Sequence, residues 1–169
     1  EDGTEYIIRT NRGERLPTVW SNIMANERFG TVVTEGMGGY TWYKNSRLNR
    51  ITAWNNSQVT DVPSELIYLE NMETKRVWSP TINPAPDNSD YYVIYGFGYS
   101  KYLHISDGIF QTLEVFVPKE DGAKVQILHL ENKMAKKKKI KILYCIKPVL
   151  GEDEIKTNGY IDLKFNENM

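Results

Sequence analysis

Short runs rich in Val, Ile, Tyr, Phe and Thr recur along the chain, and turn residues separate nearly all of them. They predict strands over residues 6–9, 29–34, 66–69, 91–95, 99–105, 109–117, 125–131, 140–149 and 160–165. The clearest alternation sets Ile140, Ile142, Tyr144 and Ile146 against Lys141, Cys145 and Lys147, the period-2 pattern of a strand with one buried side. No segment of comparable length repeats at the helical period. Pro80, Pro84, Pro86, Asp87 and Asn88 mark an irregular connection between an earlier and a later group of strands. Residues 119–122, Lys-Glu-Asp-Gly, read as a turn between two strands. Regularly spaced short strands with few helix signals predict an all-β fold, an antiparallel β-sandwich.

Composition bounds what such a sandwich does. The 169 residues are 40% hydrophobic, 12% aromatic and 25% charged, the profile of one soluble globular domain or a large piece of one. Lys+Arg 21 against Asp+Glu 22 leaves a formal charge of −1, so the broad basic field that neutralises phosphates is missing and no nucleic-acid partner is expected. No apolar run approaches the ~18–20 residues of a membrane helix, and the opening Glu1-Asp2-Gly3-Thr4-Glu5 is acidic and polar, so neither a span nor a signal peptide is expected. The chain starts without methionine and stops just after a strand-like segment. This reads as a fragment of a larger protein, whose location the missing signals therefore leave open. The single cysteine, Cys145, excludes an internal disulfide and a thiolate-rich metal site, and its apolar surroundings suggest a buried thiol. The lysine run 136–139 could meet an anionic partner, but lysines at a hairpin tip also keep an exposed sheet edge soluble.

Catalytic signatures are sparse. His104 and His129 are far apart, lack ligand-spaced neighbours and read as sheet histidines, so no metal site is expected. No G-x-S-x-G occurs and no cysteine lies beside a base. Gly96-Phe97-Gly98-Tyr99 and Gly36-Met37-Gly38-Gly39 fit hairpin or bulge glycines better than phosphate loops. A carboxylate pair for glycosidic chemistry would have to be recognised by its separation, and no catalytic residue is nominated.

The stretch 38–54 stands apart. Tyr40, Trp42, Tyr43 and Trp54 alternate there with Asn45, Ser46, Arg47, Asn49 and Arg50. Sugars need both kinds of partner, a flat ring for the apolar face of the pyranose and fixed donors and acceptors for its hydroxyls. The candidate substrate-binding residues are Trp42, Asn45, Arg47, Asn49 and Trp54. The same residues also suit a purely structural role, with the tryptophans in the core and Arg47 holding a carboxylate such as Asp61 or Glu65.

Residues 19–26 (Val-Trp-Ser-Asn-Ile-Met-Ala-Asn), Phe29-Gly30, Gly39-Tyr40-Thr41-Trp42, Asn45-Ser46-Arg47, Thr52-Ala53-Trp54 and Val77-Trp78-Ser79-Pro80-Thr81 resemble the N-terminal β-sandwich of glycoside hydrolase family ninety-four. Residues 1–8, 96–99 and 115–118 continue the likeness, which covers nearly the whole chain; Ala53 departs from the proline common before that tryptophan. The family, formerly glycosyltransferase family thirty-six, comprises cellobiose, cellodextrin and chitobiose phosphorylases and part of the cyclic β-1,2-glucan synthases. The resemblance implies a supersandwich spanning residues 1–169 as part of a larger bacterial enzyme, followed by an (α/α)-barrel catalytic domain of the same chain. It further implies inversion at a β-linked gluco-oligosaccharide by inorganic phosphate, the parent's co-substrate, with catalytic groups on the barrel and no cofactor in this fragment. A cytoplasmic location, or the cytoplasmic part of a membrane-bound parent, goes with it. The fragment itself is expected to be inactive, supporting the barrel and shaping the substrate entrance or a homodimer interface. A stand-alone carbohydrate-binding sandwich is the alternative.

Overall fold

A computed structural model describes residues 3–14, 16–57 and 59–164. Its strands are β1 (Tyr6–Thr10), β2 (Ser21–Ala25), β3 (Phe29–Thr34), β4 (Gly39–Tyr43), β5 (Arg50–Thr52), β6 (Glu65–Asn71) and β7 (Val77–Trp78). They continue with β8 (Tyr91–Gly96), β9 (Tyr99–Ser106), β10 (Ile109–Phe116), β11 (Val125–Asn132), β12 (Ile140–Ile146) and β13 (Pro148–Gly151), before one helical turn, α1 (Glu154–Thr157). The strands form three sheets in the orders β1-β8-β9-β10-β11, β12-β6-β7 and β13-β5-β4-β3-β2. Every pairing is antiparallel. The fold is the all-β antiparallel sandwich that the strand pattern predicts.

The first sheet forms one layer, and the other two together form the second. Val93, Tyr102, Leu113 and Val115 from the first sheet share a core with Ile67, Leu69 and Trp78 from the second and with Met24 and Val33 from the third. Hydrogen bonds cross the same interface. The Tyr102 hydroxyl donates to Thr34 O at 2.7 Å, Trp78 Nε1 to Gln111 Oε1 at 3.1 Å, and Asn22 Nδ2 to Tyr99 O at 2.9 Å. Truncating Leu113 in such a core costs about 2–5 kcal/mol.

The two smaller sheets are joined by the chain that runs from β12 into β13. Lys147 N donates to Ser64 O at 2.7 Å, just before β6, and Lys147 O accepts from Ala53 N at 3.0 Å, just after β5. Proline at 148 therefore splits the predicted strand 140–149 between two sheets, since it has no N–H to continue the ladder. Beside this junction Glu65 is buried on the core side. Its Oε2 lies 2.9 Å from Lys124 Nζ, and its Oε1 accepts from the hydroxyls of Thr41 at 2.6 Å and Thr52 at 3.0 Å. Burial pushes this carboxyl up, but the Lys124 charge and the hydrogen bonds outweigh it, and Glu65 titrates below the ordinary carboxylate range.

Four expectations are corrected. Ile142, Tyr144 and Ile146 share a face with buried Leu69, Ile67 and Glu65, yet each is about half exposed. β12 is an edge strand, so facing the core side does not bring a covering layer with it. Cys145, on the other face of the same edge strand, is half-buried rather than buried. The lysine run 136–139 is no hairpin tip, because β11 and β12 belong to different sheets. It crosses between layers, and Lys138 pairs with Asp107 at 2.8 Å on the way. The predicted strand 160–165 is absent from its described part, where Asn158–Tyr160 form a 3₁₀ turn and 161–164 are irregular; Phe165 lies outside the described residues. The glycine hairpin 96–99 joins β8 to β9, and the turn at 119–122 joins β10 to β11, as predicted. No helix among the described residues is long and apolar enough to cross a membrane.

Candidate functional site

The 38–54 stretch folds into β4, a turn and β5. Two glycines make this possible. Gly39 has φ +95°, and a Cβ there would lie 2.1 Å from Val32 O, so only glycine can open β4 at this position. Gly30 sits opposite Trp42 in the β3–β4 register. A Cβ on Gly30 would lie 2.3 Å from the Trp42 ring, so the missing side chain is the space in which the indole lies.

Tyr40 and Trp42 share the face of β4 opposite Thr41, which bonds buried Glu65. On that face the rings form a ladder. Tyr40 lies 4.6 Å from Trp54, stacked at 17°, and 5.2 Å from Trp42 at 39°, within the range of favourable ring pairs. The Arg50 guanidinium caps it, 5.4 Å from the Tyr40 ring and 5.8 Å from that of Trp54, close enough for cation–π attraction. Tyr40 is buried, whereas Trp42 and Trp54 are half-buried.

The polar candidates occupy the turn. Asn45 Oδ1 accepts from Arg47 N at 3.0 Å and Leu48 N at 2.8 Å, and Asn49 Nδ2 donates to Tyr43 O at 2.9 Å. These are the local side-chain-to-backbone bonds by which asparagine builds turns. One end of each amide is thus committed to the fold, while the residues stay exposed. Arg47 reaches Glu152 at 3.9 Å, with its side chain 79% exposed, a loose surface pair worth about 0–1 kcal/mol. Hydrogen bonding to Lys156 chiefly holds the Glu152 carboxyl low, and Arg47 adds to the effect. Arg47 does not hold Asp61 or Glu65. Asp61 takes the Thr34 hydroxyl at 2.6 Å and Glu65 takes Lys124.

The structure therefore brings Trp42 and Trp54 together through Tyr40 and sets Asn45, Arg47 and Asn49 on an exposed rim. It adds Arg50, whose ring contacts depend on β4–β5 pairing that no local pattern announces. A cavity of about 180 Å³ beside the ladder is lined by Arg50, Trp54, Ser64, Lys147, Asp153 and Glu154. Its acidic wall comes from residues about a hundred positions downstream, so local sequence carries no sign of it. Chemically the arrangement offers an aromatic wall, a guanidinium and a rim of amides. Among the described residues no group of three His, Cys, Asp or Glu side chains is placed to hold a metal ion.

Comparison with known proteins gives this geometry a context. Residues 4–168 match the family model described as "Glycosyl hydrolase 94, supersandwich domain". The chain is 35% identical over 134 residues to N,N'-diacetylchitobiose phosphorylase of Vibrio furnissii, a match covering 78% of this chain and 16% of that protein. It is 28% identical over 169 residues to the cyclic beta-(1,2)-glucan synthase NdvB of Rhizobium meliloti (strain 1021), covering 99% of this chain and 6% of that protein. It is 26% identical over 134 residues to the 3-O-beta-D-glucopyranosyl-beta-D-glucuronide phosphorylase of Paenibacillus borealis, covering 77% of this chain and 16% of that protein. The chain thus spans a small fraction of the length of these curated relatives.

Proposed function

Because the chain belongs to the glycosyl hydrolase 94 family through its supersandwich domain, we propose that it serves as the non-catalytic N-terminal sandwich of a carbohydrate-active phosphorylase or glucan-synthase-like enzyme. The substrates are β-linked gluco-oligosaccharides, inorganic phosphate is the co-substrate of the parent, and the catalytic groups lie on a helical barrel of the same polypeptide. The sandwich supports that barrel, and its 42–54 edge shapes the substrate entrance or a homodimer interface. One observation carries the reading: the ladder of Trp42, Tyr40 and Trp54 capped by Arg50 and bordered by exposed Asn45, Arg47 and Asn49. Half-buried indoles present edges and partial faces, which suit a wall beside a sugar. Arg47 and Asn45 are the hydroxyl-binding groups of this reading, and Trp42 is the wall residue.

The kinetics of Arg47→Ala in the enzyme that carries this domain test it. The variant is expected to lose more than about tenfold in kcat/KM for the sugar acceptor, equivalent to about 1.4 kcal/mol. Unchanged kcat/KM would overturn the role of the 42–54 edge. The loose pair with Glu152 predicts that stability moves by less than about 0.5 kcal/mol, so a kinetic loss would not reflect unfolding.

A further inference from the structure

The loops that follow β1, β3, β5 and β7 converge on a second and larger cavity, of about 560 Å³. That volume lies within the ~300–1,000 Å³ typical of small-molecule sites, and clustered loops at the end of a sandwich are where such folds place binding groups. Gly36 is the point of convergence. A Cβ there would lie 2.5 Å from Asn83 Nδ2 and 2.7 Å from Asp61 Oδ2, so three loops meet only because this residue has no side chain. Glu35, Asp61, Asn83 and Thr60 supply polar lining together with Arg12 and Glu14, and Leu16 and Ile82 supply an apolar part.

The carboxylates have acceptor capacity to spare. Glu35 takes backbone N–H groups of Trp20, at 2.9 Å, and of Glu35 itself, and Asp61 takes the Thr34 hydroxyl, at 2.6 Å, and the Gly38 N–H, whereas a carboxylate has about four acceptor positions. Burial pushes Glu35 up to about 7, with the Asp61 charge adding to it, and burial likewise raises Asp61; no cation offsets either. Near neutrality the pair therefore presents both a hydroxyl donor and open acceptors. Glu14, Glu35 and Asp61 outnumber the Arg12 guanidinium in the described lining, which disfavours a phosphate or another anion. The amide and hydroxyl between them match a neutral polyol better than an amine, which would use the carboxylates alone.

We infer that this cavity is a saccharide-binding subsite, in which Glu35 and Asp61 hold sugar hydroxyls and Leu16 and Ile82 meet the apolar face of the ring. The class of ligand rests on the carbohydrate reading above, but the location is independent of the 42–54 edge. Glu35, Asp61 and Asn83 are separated in sequence and united only by the glycine turn.

Titration of the 169-residue chain by NMR or calorimetry, with N,N'-diacetylchitobiose and a β-1,2-linked glucotetraose as probes, tests the inference. At least one probe is expected to bind at millimolar concentration. Glu35→Gln and Asp61→Asn should each weaken it about tenfold or more. Val59→Trp fills the mouth from an exposed position without touching the carboxylates, and it should block binding while the melting temperature holds. Failure of both probes to bind would overturn the inference. So would binding that Val59→Trp leaves intact and Trp54→Ala abolishes, an outcome that keeps the proposed role of the aromatic edge. Conversely, saccharide binding here together with normal kinetics for Arg47→Ala would keep the subsite and remove that role.

Discussion

Two buried carboxylates in this sandwich meet opposite fates. Glu65 sits deep between the layers, yet Lys124 and the hydroxyls of Thr41 and Thr52 hold it ionised below the ordinary carboxylate range. Glu35 is less deeply buried, yet its carboxyl is pushed up to about 7. Depth alone therefore does not set protonation; the supply of donors does. Glu65 spends its acceptors inside the fold, whereas Glu35 and its neighbour Asp61 keep some open toward a cavity. A satisfied buried charge belongs to architecture, and an under-supplied one beside an opening is a place for a ligand.

The largest expected effect comes from removing the donor of the satisfied site. Lys124→Met leaves Glu65 as an uncompensated buried charge and should cost about 3–5 kcal/mol in urea unfolding with an unchanged slope. A loss under 1 kcal/mol would mean that the hydroxyls alone hold Glu65, and the contrast would then shrink. Next comes the packing of the second site. A Cβ on Gly38 would lie 1.9 Å from Asp61 Oδ1, so Gly38→Ala should drive Asp61 off the Thr34 hydroxyl and cost about 1–3 kcal/mol, read as a lower melting temperature.

The smallest effect is a slope. Glu35 holds its proton up to about pH 7 in the fold, against an ordinary value of 4.5. Between those values the native state binds the extra proton, so the Glu35 contribution falls as pH rises from about 4.5 through about 7. Glu35→Gln should flatten that fall. Glu65 acts in the opposite sense, since its stabilisation is present above 4.5 and disappears as pH drops through its lowered folded value. The melting temperature of Glu35→Gln should therefore diverge from the parent between about pH 4.5 and 7, and that of Glu65→Gln below about pH 4.5, with opposite slopes. Parallel curves would erase the distinction.

Much of the architecture was legible because alternation reports burial directly where both layers are present. β10 shows this, with Ile109, Gln111, Leu113 and Val115 buried and the residues between them half-exposed. The same pattern at Ile140, Ile142, Tyr144 and Ile146 misleads, since alternation gives a strand its two faces but cannot say whether anything lies over them. β4 escaped prediction for another reason: Tyr40, Thr41, Trp42 and Tyr43 favour strands, but aromatic rings lie on both of its faces, so it shows no alternation of polar and apolar positions, and the fit of Trp42 over Gly30 reveals how it pairs with β3. β7 is two residues long and too short for any period. For the candidate site, the aromatic and amide content of 42–54 was visible in composition. Arg50 over the rings, and Glu35 beside Asp61, depend on register and loop convergence across the fold.

Lys147 is the backbone pin of the second layer, beside the side-chain bonds from Thr41 and Thr52 to Glu65. Its N–H reaches the segment before β6 and its C=O reaches the segment after β5, so one peptide unit on each side of one residue stitches two sheets that otherwise have separate ladders. The second layer is therefore expected to open as one cooperative unit in hydrogen exchange, with similar protection at the amides of Lys147 and Ala53; clearly different protection would separate the two sheets.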